Sequence, residues 1–170
     1  MDIIIVIVYI HNMSKILPMI IASLEQLIEI YNSERFKDDL PRLEKIEIKV
    51  LGQFSLMADP EASLKLPLVA TRDFDALIKG DWSARTLLKI ALAEFNLEYD
   101  DLSREIWLPD DAKFIEIHDS NTLKVSYLSA VDALTSKAIK APEKNKNLIN
   151  KSLEIYPELK IKIEKYSHNS

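Results

Sequence analysis

The sequence predicts an α/β (α+β) domain in which a small mixed β-sheet is flanked by helices, with further helices at the C-terminal end. Three observations support this: long segments with helical spacing of apolar residues, short strand-like segments, and clusters of turn residues between them. The 170 residues are enough for one domain with its own core. Hydrophobic residues at 48% and charged residues at 29% are ordinary for a globular soluble protein, which argues against disorder.

The charge and the side-chain types restrict the chemistry. A net charge of −5 argues against a bulk electrostatic attraction to nucleic acid, although a local basic patch at the C-terminal end remains open. The absence of cysteine excludes disulfides, thiolate zinc sites and thiol nucleophiles, and fits the reducing cytoplasm. The three histidines lie far apart in the sequence. A bound metal would therefore be held by carboxylates, which favour Mg²⁺ or Mn²⁺.

Residues 1–13 are a separate question, because residues 3–10 form a continuous apolar run. The run is too short to span a bilayer, which takes about 20 residues. It also lacks the preceding basic residues and the cleavage pattern of a signal peptide, so we expect no membrane association. Two interpretations stay open: a buried extra strand, or a translated extension upstream of a start at Met13. The extension is favoured because the amphipathic pattern begins at Ser14. Residues 14–170 are then one domain.

The elements follow in order along the chain. Ser14 is a candidate N-cap for a helix over residues 16–31, with Pro18 in its first turn. Residues 45–51 alternate charged and apolar side chains, which predicts a half-buried strand ending at Gly52. The remaining predicted segments are a helix over 54–62, an apolar stretch over 66–77, a helix over 82–95, strands over 105–108, 114–117 and 123–127, and helices over 130–142, 146–154 and 159–166.

The acidic pair Asp73 and Asp75 is the first candidate for chemistry. Residues two apart on a strand face the same side, so both carboxylates would converge on one point. Two like charges held that closely call for a counter-ion, a shared proton or solvent. A divalent cation is the usual answer in phosphoryl-transfer sites. The alternative is that both acids form the solvated face of an edge strand.

A second candidate precedes the acids. The segment Gly52-Gln53-Phe54-Ser55 ends a predicted strand and opens a predicted helix. A helix N-terminus behind a tight glycine turn can bind phosphate, because its free N–H groups and its dipole point at the anion. A phosphate site next to two metal-binding carboxylates is the arrangement that nucleotidyl transfer needs.

The order of Gly52-Gln53-Phe54-Ser55 and then Thr71-Arg72-Asp73-Phe74-Asp75 resembles the polymerase-beta nucleotidyltransferase superfamily. More narrowly, it is similar to the nucleotidyltransferases of bacterial abortive-infection toxin systems, which carry a Lys-containing helix and a basic segment further on. Residues 131–149 occupy that later position here, and the resemblance covers about residues 46–153. It implies a small sheet with flanking helices, an NTP substrate, Mg²⁺ or Mn²⁺, and an antitoxin-like protein partner.

The resemblance also implies roles for individual residues. Gly52, Gln53 and Ser55 would hold the triphosphate, and Lys137 would meet a phosphate. Asp73 and Asp75 would bind the metal, and a third carboxylate is expected on a strand beside them. Glu116 is chosen for that catalytic and metal-binding role, with Asp119 as the fallback. For Glu116 and Lys137 the alternative is an ordinary solvent-exposed side chain. His118 is interpreted as a surface histidine, and Trp82 and Trp107 as packing residues rather than base-stacking platforms.

Two departures from the family pattern leave the activity open. Gln53 replaces a small residue and would crowd the triphosphate, and Asn147 and Asn150 stand where toxin relatives carry acids. The first hypothesis is transfer of a nucleoside monophosphate from an NTP to a hydroxyl of a tRNA, a protein or a small molecule. The second is a degenerate nucleotidyltransferase fold that binds a protein partner. The third is an unrelated interaction domain in which the acids are surface residues.

Overall fold

The computed structural model describes residues 3–167, with side chains described from residue 15 onwards. Within these residues helices and strands mix as the sequence predicts, and the α/β (α+β) class is confirmed. The helices are α1 Ile3–Lys37, α2 Gly52–Ala58, α3 Pro60–Lys65, α4 Trp82–Ala93, α5 Ala130–Lys140, α6 Pro142–Ile155 and α7 Glu158–Ser167. The strands are β1 Ile46–Val50, β2 Asp73–Phe74, β3 Ala76–Lys79, β4 Glu98–Tyr99, β5 Phe114–Asp119 and β6 Leu123–Leu128.

Four strands form one mixed sheet in the order β3-β1-β6-β5. β1 is antiparallel to β3 and parallel to β6, and β6 is antiparallel to β5. The alternation in β1 has the predicted effect, because Ile46, Ile48 and Val50 are buried while Glu47 and Lys49 are not. A second, two-stranded parallel sheet pairs β2 with β4.

The helices cover this sheet in two groups. α1 packs against α2, α3 and α4, and the Tyr31 and Ser83 hydroxyls, 2.9 Å apart, join α1 to α4. α5 packs against α2, α6 and α7 at the C-terminal end. One continuous hydrophobic core extends through both groups, from Leu17 in α1 to Leu159 in α7. The two groups meet at α2, which carries the glycine segment of the candidate site.

The first helix differs from its prediction. α1 begins at Ile3, so the interpretation of residues 3–10 as a buried strand is wrong, and Ser14 does not start the helix. Pro18 lies inside α1 rather than in its first turn. An unbroken apolar run has no periodicity with which to separate a buried strand from a helix. No helix in the described part of the chain is both long enough and apolar enough to cross a membrane.

Three other segments differ from their predictions. Residues 54–62 form parts of two helices, because Asp59 ends α2 and its side chain caps α3 by accepting from the amides of Glu61 and Ala62. Residues 105–108 form no strand: Glu105 is the last residue of a 3-10 helix over Asp101–Glu105, and residues 106–108 have no regular structure. α6 begins at Pro142 rather than at residue 146, since proline is well tolerated in a first helical turn.

Candidate active site

The Asp-x-Asp segment lies where the two sheets meet. β2 ends at Phe74 and β3 begins at Ala76, so Asp75 separates them instead of continuing one strand. The Leu51 amide donates to the Asp75 carbonyl at 2.8 Å, which fixes this position beside the end of β1. Asp73 and Asp75 line the same cleft, while Phe74 is buried on the other side. The expected shared side of the two acids is thus present, although the chain is kinked between them.

Gly52 makes close packing of Asp75 against α2 possible. Its φ is +58°, and a Cβ atom added to it would lie 1.9 Å from Asp75 Oδ2. A side chain at position 52 would therefore meet both a left-handed backbone and an occupied space. The glycine in the predicted phosphate segment is thus required for the Asp75 carboxylate to approach the first turn of α2.

Asp100 brings a third carboxylate to the cleft. β4 pairs with β2, and the Asp100 amide donates to the Phe74 carbonyl at 3.2 Å. The Asp100 side chain also accepts from the Leu102 amide at 2.8 Å, which orients it at the start of the 3-10 helix. Sequence reasoning missed this residue. The available signal was the Asp100-Asp101-Leu102-Ser103 turn that follows the α4 segment.

The electrostatics of the cleft centre on Asp75. Burial raises the pKa of this carboxyl group to about 6, and the negative charges of Asp100 and Asp73 act in the same direction. A hydrogen bond with Asp100 further favours the protonated form. The Lys137 ammonium group opposes these effects. Burial also lowers the pKa of Lys137, and the attraction of Asp75 partly offsets that effect.

The cleft has a volume of about 750 Å³, within the range of small-molecule sites. The 67–71 loop forms one wall, and the Gln53 side chain holds it by donating to the Val69 carbonyl at 3.1 Å. The start of α6 and the end of α5 form the other wall. The polar side chains that line the cleft are Gln53, Thr71, Asp73, Asp75, Asp100, Lys137, Lys144, Asn145 and Asn147.

Glu116 does not lie at this cleft, which corrects its assignment as the third carboxylate. It is in β5, and the strand order places β5 at the opposite edge of the sheet from β3. Its exposed carboxylate pairs with Lys124 at 2.7 Å. The fallback Asp119 pairs with Lys45 and Lys124 at the end of the same strand. Alternation along a strand predicts which side a residue faces, but it does not predict which strands are neighbours.

Ser55 is also misplaced for the role assigned to it. Its side chain is fully buried, and its hydroxyl donates to the Gly52 carbonyl at 2.9 Å within α2. A hydroxyl used in this way does not face a triphosphate in the cleft. Gln53 and Lys137 do line the cleft, whereas Gly52 contributes through its contact with Asp75.

Asn147 and Asn150, the two departures from the family pattern in α6, lie in different places. Asn147 lines the cleft, whereas Asn150 lies in a groove between α6 and α7. His118 is partly buried and contacts Glu25 of α1 at 2.8 Å, so it bridges elements rather than standing free at the surface. Trp107 packs edge-on against Tyr166, as a packing residue should. Trp82, in contrast, is 77% exposed.

The side chains of the cleft suit a hard divalent cation in kind. Carboxylates are its preferred ligands, and the pKa of Asp75 is raised first by burial and then by neighbouring negative charges, which a cation would neutralise. Across residues 15–167, no three or more His, Cys, Asp or Glu side chains are already gathered into a metal-binding group. To bind a metal, the carboxylates of Asp75, Asp100 and Asp73 would therefore have to move closer together.

Comparisons with protein-family models, with curated proteins and with solved structures gave no match to this chain.

Proposed function

We propose that the protein is an Mg²⁺- or Mn²⁺-dependent nucleotidyltransferase that moves a nucleoside monophosphate from an NTP to a hydroxyl group. The observation that carries this proposal is the approach of two carboxylates, Asp75 and Asp100, beside the glycine that opens α2. A cleft of about 750 Å³ and a lysine accompany them. The carboxylates concentrate negative charge in the cleft, where a cation could bind them and the triphosphate oxygens together.

In this proposal each residue has a separate task. Asp75 and Asp100 would hold the metal, with Asp73 at the rim as a further oxygen ligand. When bound, the metal would supply charge neutralisation at the phosphates and orient the transferred group. The Lys137 ammonium group would bind the triphosphate, because it lines the same cleft and its charge interacts with Asp75.

The reaction needs a proton acceptor for the attacking hydroxyl group. Because Asp75 and Asp100 would hold the metal, neither carboxylate is free to take this proton, and it would pass to a water molecule in the cleft. The hydroxyl oxygen would then bond to the α-phosphorus, and pyrophosphate would leave.

A degenerate protein of the same fold that binds a protein partner is the second candidate. Two observations favour it. The Ser55 hydroxyl donates to the Gly52 carbonyl within α2, and Asn147 rather than an acid lines the cleft. Both lower the number of groups available to hold nucleotide and metal. In this case the cleft would be a structural remnant that does not respond to NTP.

Nucleotide-dependent thermal stability separates the two candidates. The melting temperature is measured with each of the four NTPs, with Mg²⁺ and with EDTA, for the wild type, Asp75→Asn and Asp73→Asn/Asp75→Asn. Glu116→Gln is the matched control, because it removes one carboxylate charge far from the cleft. A ligand at 100 times its Kd stabilises the native state by about 2.7 kcal/mol. For a chain of this size that corresponds to several degrees in Tm.

We expect at least one NTP to raise the Tm of the wild type and of Glu116→Gln only with Mg²⁺, and to leave the Asp75 variants unchanged. The comparison is made within each variant, since Asp75→Asn alters stability by itself. If millimolar NTP shifts no Tm in the wild type, the enzyme proposal is wrong and the partner-binding candidate takes its place. Equal loss of response in Glu116→Gln would contradict the assigned site.

A further inference from the structure

A second surface feature lies at the start of α4. Trp82, the first residue of that helix, has 77% of its side chain exposed. It lines a groove of about 420 Å³ with Arg85, Thr86, Lys89 and Arg104. An indole group left this open to solvent contributes nothing to the core, and it stands beside three cationic side chains. Neither the core nor the Asp75 cleft accounts for this combination.

Helix geometry sets the indole and two of the cations in a row. Arg85 and Lys89 follow Trp82 by three and seven residues, so all three lie along one side of α4. The opposite side of α4 is buried against the core, through Leu87, Leu88 and Leu92 among others. Arg104 reaches the same groove from the 3-10 helix. Two separate elements therefore present positive charge beside the indole.

The acidic groups of this region only partly cancel the charge. Asp81 caps α4 by accepting from the Ala84 amide at 3.1 Å. Asp101 pairs with Lys89 at 2.8 Å and lies 4.0 Å from Arg85. Arg104 forms no hydrogen bond or ion pair with another described side chain, although its charge also acts on Asp101. Arg85 and Lys89 also lie over the Tyr99 ring. Three cations thus face two acids in this region, so the groove keeps a small excess of positive charge, with Arg104 the most available donor.

We propose that this groove binds a single-stranded polynucleotide. An unpaired base stacks on an exposed aromatic side chain regardless of its identity, while arginine and lysine contact the phosphates along the strand. A duplex hides its base faces in the stack and cannot use Trp82 in this way. The net charge of −5 does not oppose a local contact of this kind, but it makes the binding weak and sensitive to salt.

The groove is close to the cleft along the chain. Asp101, which faces Arg85 and Lys89, directly follows Asp100 of the cleft. Trp82 itself, however, follows Gly80, which lies beside Ile46 at the start of β1, whereas Asp75 lies beside Leu51 at the end of that strand. Binding in the groove is therefore independent of the proposed transfer reaction and is testable without NTP or Mg²⁺.

The experiment uses the two tryptophans of the chain separately. In Trp107→Phe, Trp82 is the only tryptophan and is excited at wavelengths that tyrosine does not absorb, and an oligouridylate of about 20 nucleotides is added at low salt in EDTA. We expect quenching of Trp82 fluorescence. Anisotropy of the labelled oligonucleotide then gives affinities for the otherwise unaltered chain and its variants, so the conclusion does not depend on the folding of Trp107→Phe. We expect Trp82→Leu to bind about tenfold more weakly or worse.

Charge variants test the cationic part. Arg85→Gln/Arg104→Gln should weaken binding and reduce the salt slope by about 1.4, for two lost phosphate contacts at about 0.7 each. Lys65→Gln/Lys151→Gln removes the same charge elsewhere on the surface and should leave the slope unchanged. Heparin and an RNA duplex are the competitors, and both should bind without quenching Trp82.

Unchanged affinity in Trp82→Leu, or heparin binding as tight as that of the oligonucleotide, would overturn the proposal. Absence of oligonucleotide binding by the wild type at low salt would do the same, and would point to a protein partner for the exposed indole. Because no NTP is present, these outcomes leave the nucleotidyltransferase proposal unaffected. A wild type that shows no Tm shift with NTP would likewise leave the proposal of polynucleotide binding unaffected.

Discussion

Two groups of acidic side chains in this protein show opposite electrostatic behaviour. In the cleft, burial and the neighbouring charges of Asp100 and Asp73 raise the pKa of Asp75 to about 6. At the C-terminal end, hydrogen bonds from Lys165, Lys162 and Tyr166 hold the pKa of Asp111 well below its usual range. The cleft places several carboxylates together with few hydrogen-bond donors or cations. At the C-terminal end, by contrast, each carboxylate accepts from several donors.

The second group, which we call the C-terminal ion cluster, consists of Asp111, Asp132, Lys162, Lys165 and Tyr166. Asp132 is 1% exposed, and it accepts from the Ser129 hydroxyl at 2.6 Å, the Lys113 amide at 2.9 Å and Lys162. Lys162 also contacts Asp111 at 3.0 Å. The cluster joins α7 to α5 and to the loop before β5.

The contrast separates a stabilising arrangement from a functional one. A buried acid with several donors favours the folded state as long as all partners remain. A buried acid beside other acids costs stability, and such groups are typical of sites that bind cations or move protons. The comparison makes three predictions, in which the cluster, the glycine contact and the cleft respond differently to substitution.

The largest effect is expected in the cluster. Asp132→Asn should lower the free energy of unfolding by about 3 kcal/mol, because it removes the negative charge that faces Lys162 and weakens three buried hydrogen bonds. Urea denaturation measures the change. Asp119→Asn is the control: Asp119 is exposed and its ion pairs are screened by solvent, so this substitution should change the free energy of unfolding far less than Asp132→Asn does. If the two variants lost the same free energy of unfolding, the C-terminal ion cluster would contribute no more to stability than an exposed ion pair.

A smaller loss is expected at the glycine. Gly52→Ala should destabilise the protein by about 2 kcal/mol, since alanine strains a backbone at φ +58° and its methyl group collides with Asp75. In an Asp75→Gly background only the backbone strain remains, so the same substitution should cost roughly half as much. A double-mutant cycle by denaturation gives the coupling. If the effects of the two substitutions on the free energy of unfolding were additive, a side chain at position 52 would not collide with Asp75.

The smallest effect, and the only gain, is expected in the cleft. Asp75→Asn should stabilise the metal-free protein at pH 8 by about 1–2 kcal/mol, because it removes a partly buried negative charge whose pKa is raised to about 6 and which solvent screens only in part. Because the folded pKa exceeds the unfolded one, the folded state binds more protons between about pH 4 and 6. The cost of Asp75 is thus complete above pH 6 and fades as the pH falls to 4.

Denaturation of the wild type and Asp75→Asn in EDTA from pH 4 to 8 measures this gain. Asp119→Asn serves again as control and should show no such increase, since ion pairing lowers the pKa of Asp119. If Asp75→Asn destabilises the protein at pH 8, the carboxylate is a structural acid like those of the cluster, and the comparison fails.

The sequence predicted the local features well and the long-range neighbours poorly. The alternation of β1, the β5 and β6 strands, and the glycine and Asp-x-Asp segments were recognisable because each depends on a few adjacent residues. Gln53, Asp73, Asp75 and Lys137 do line one cleft. Glu116 was misassigned because the strand order β3-β1-β6-β5 is set by packing between distant segments.

Two further failures have the same origin. Asp100 was missed because the strand before it, β4, has only two residues and forms by pairing with β2, so the turn that contains Asp100 does not by itself show that it lies beside Asp75. Ser55 was assigned to the phosphate because the segment Gly52-Gln53-Phe54-Ser55 resembles a family motif, whereas its burial depends on how α2 packs against α5 and β6. A pattern identifies candidate residues, but tertiary packing decides which of them reach the cleft.

The central position of β1 also has a consequence for folding. Its parallel partner is β6, so Ile46 must find Leu123 across most of the domain, whereas β5 and β6 are joined by a short turn. Closing a long loop costs entropy before the contact contributes stability, so the β5–β6 hairpin is expected to form before β1 pairs with it. On a ribosome, the sheet could close only after residue 128 has left the exit tunnel.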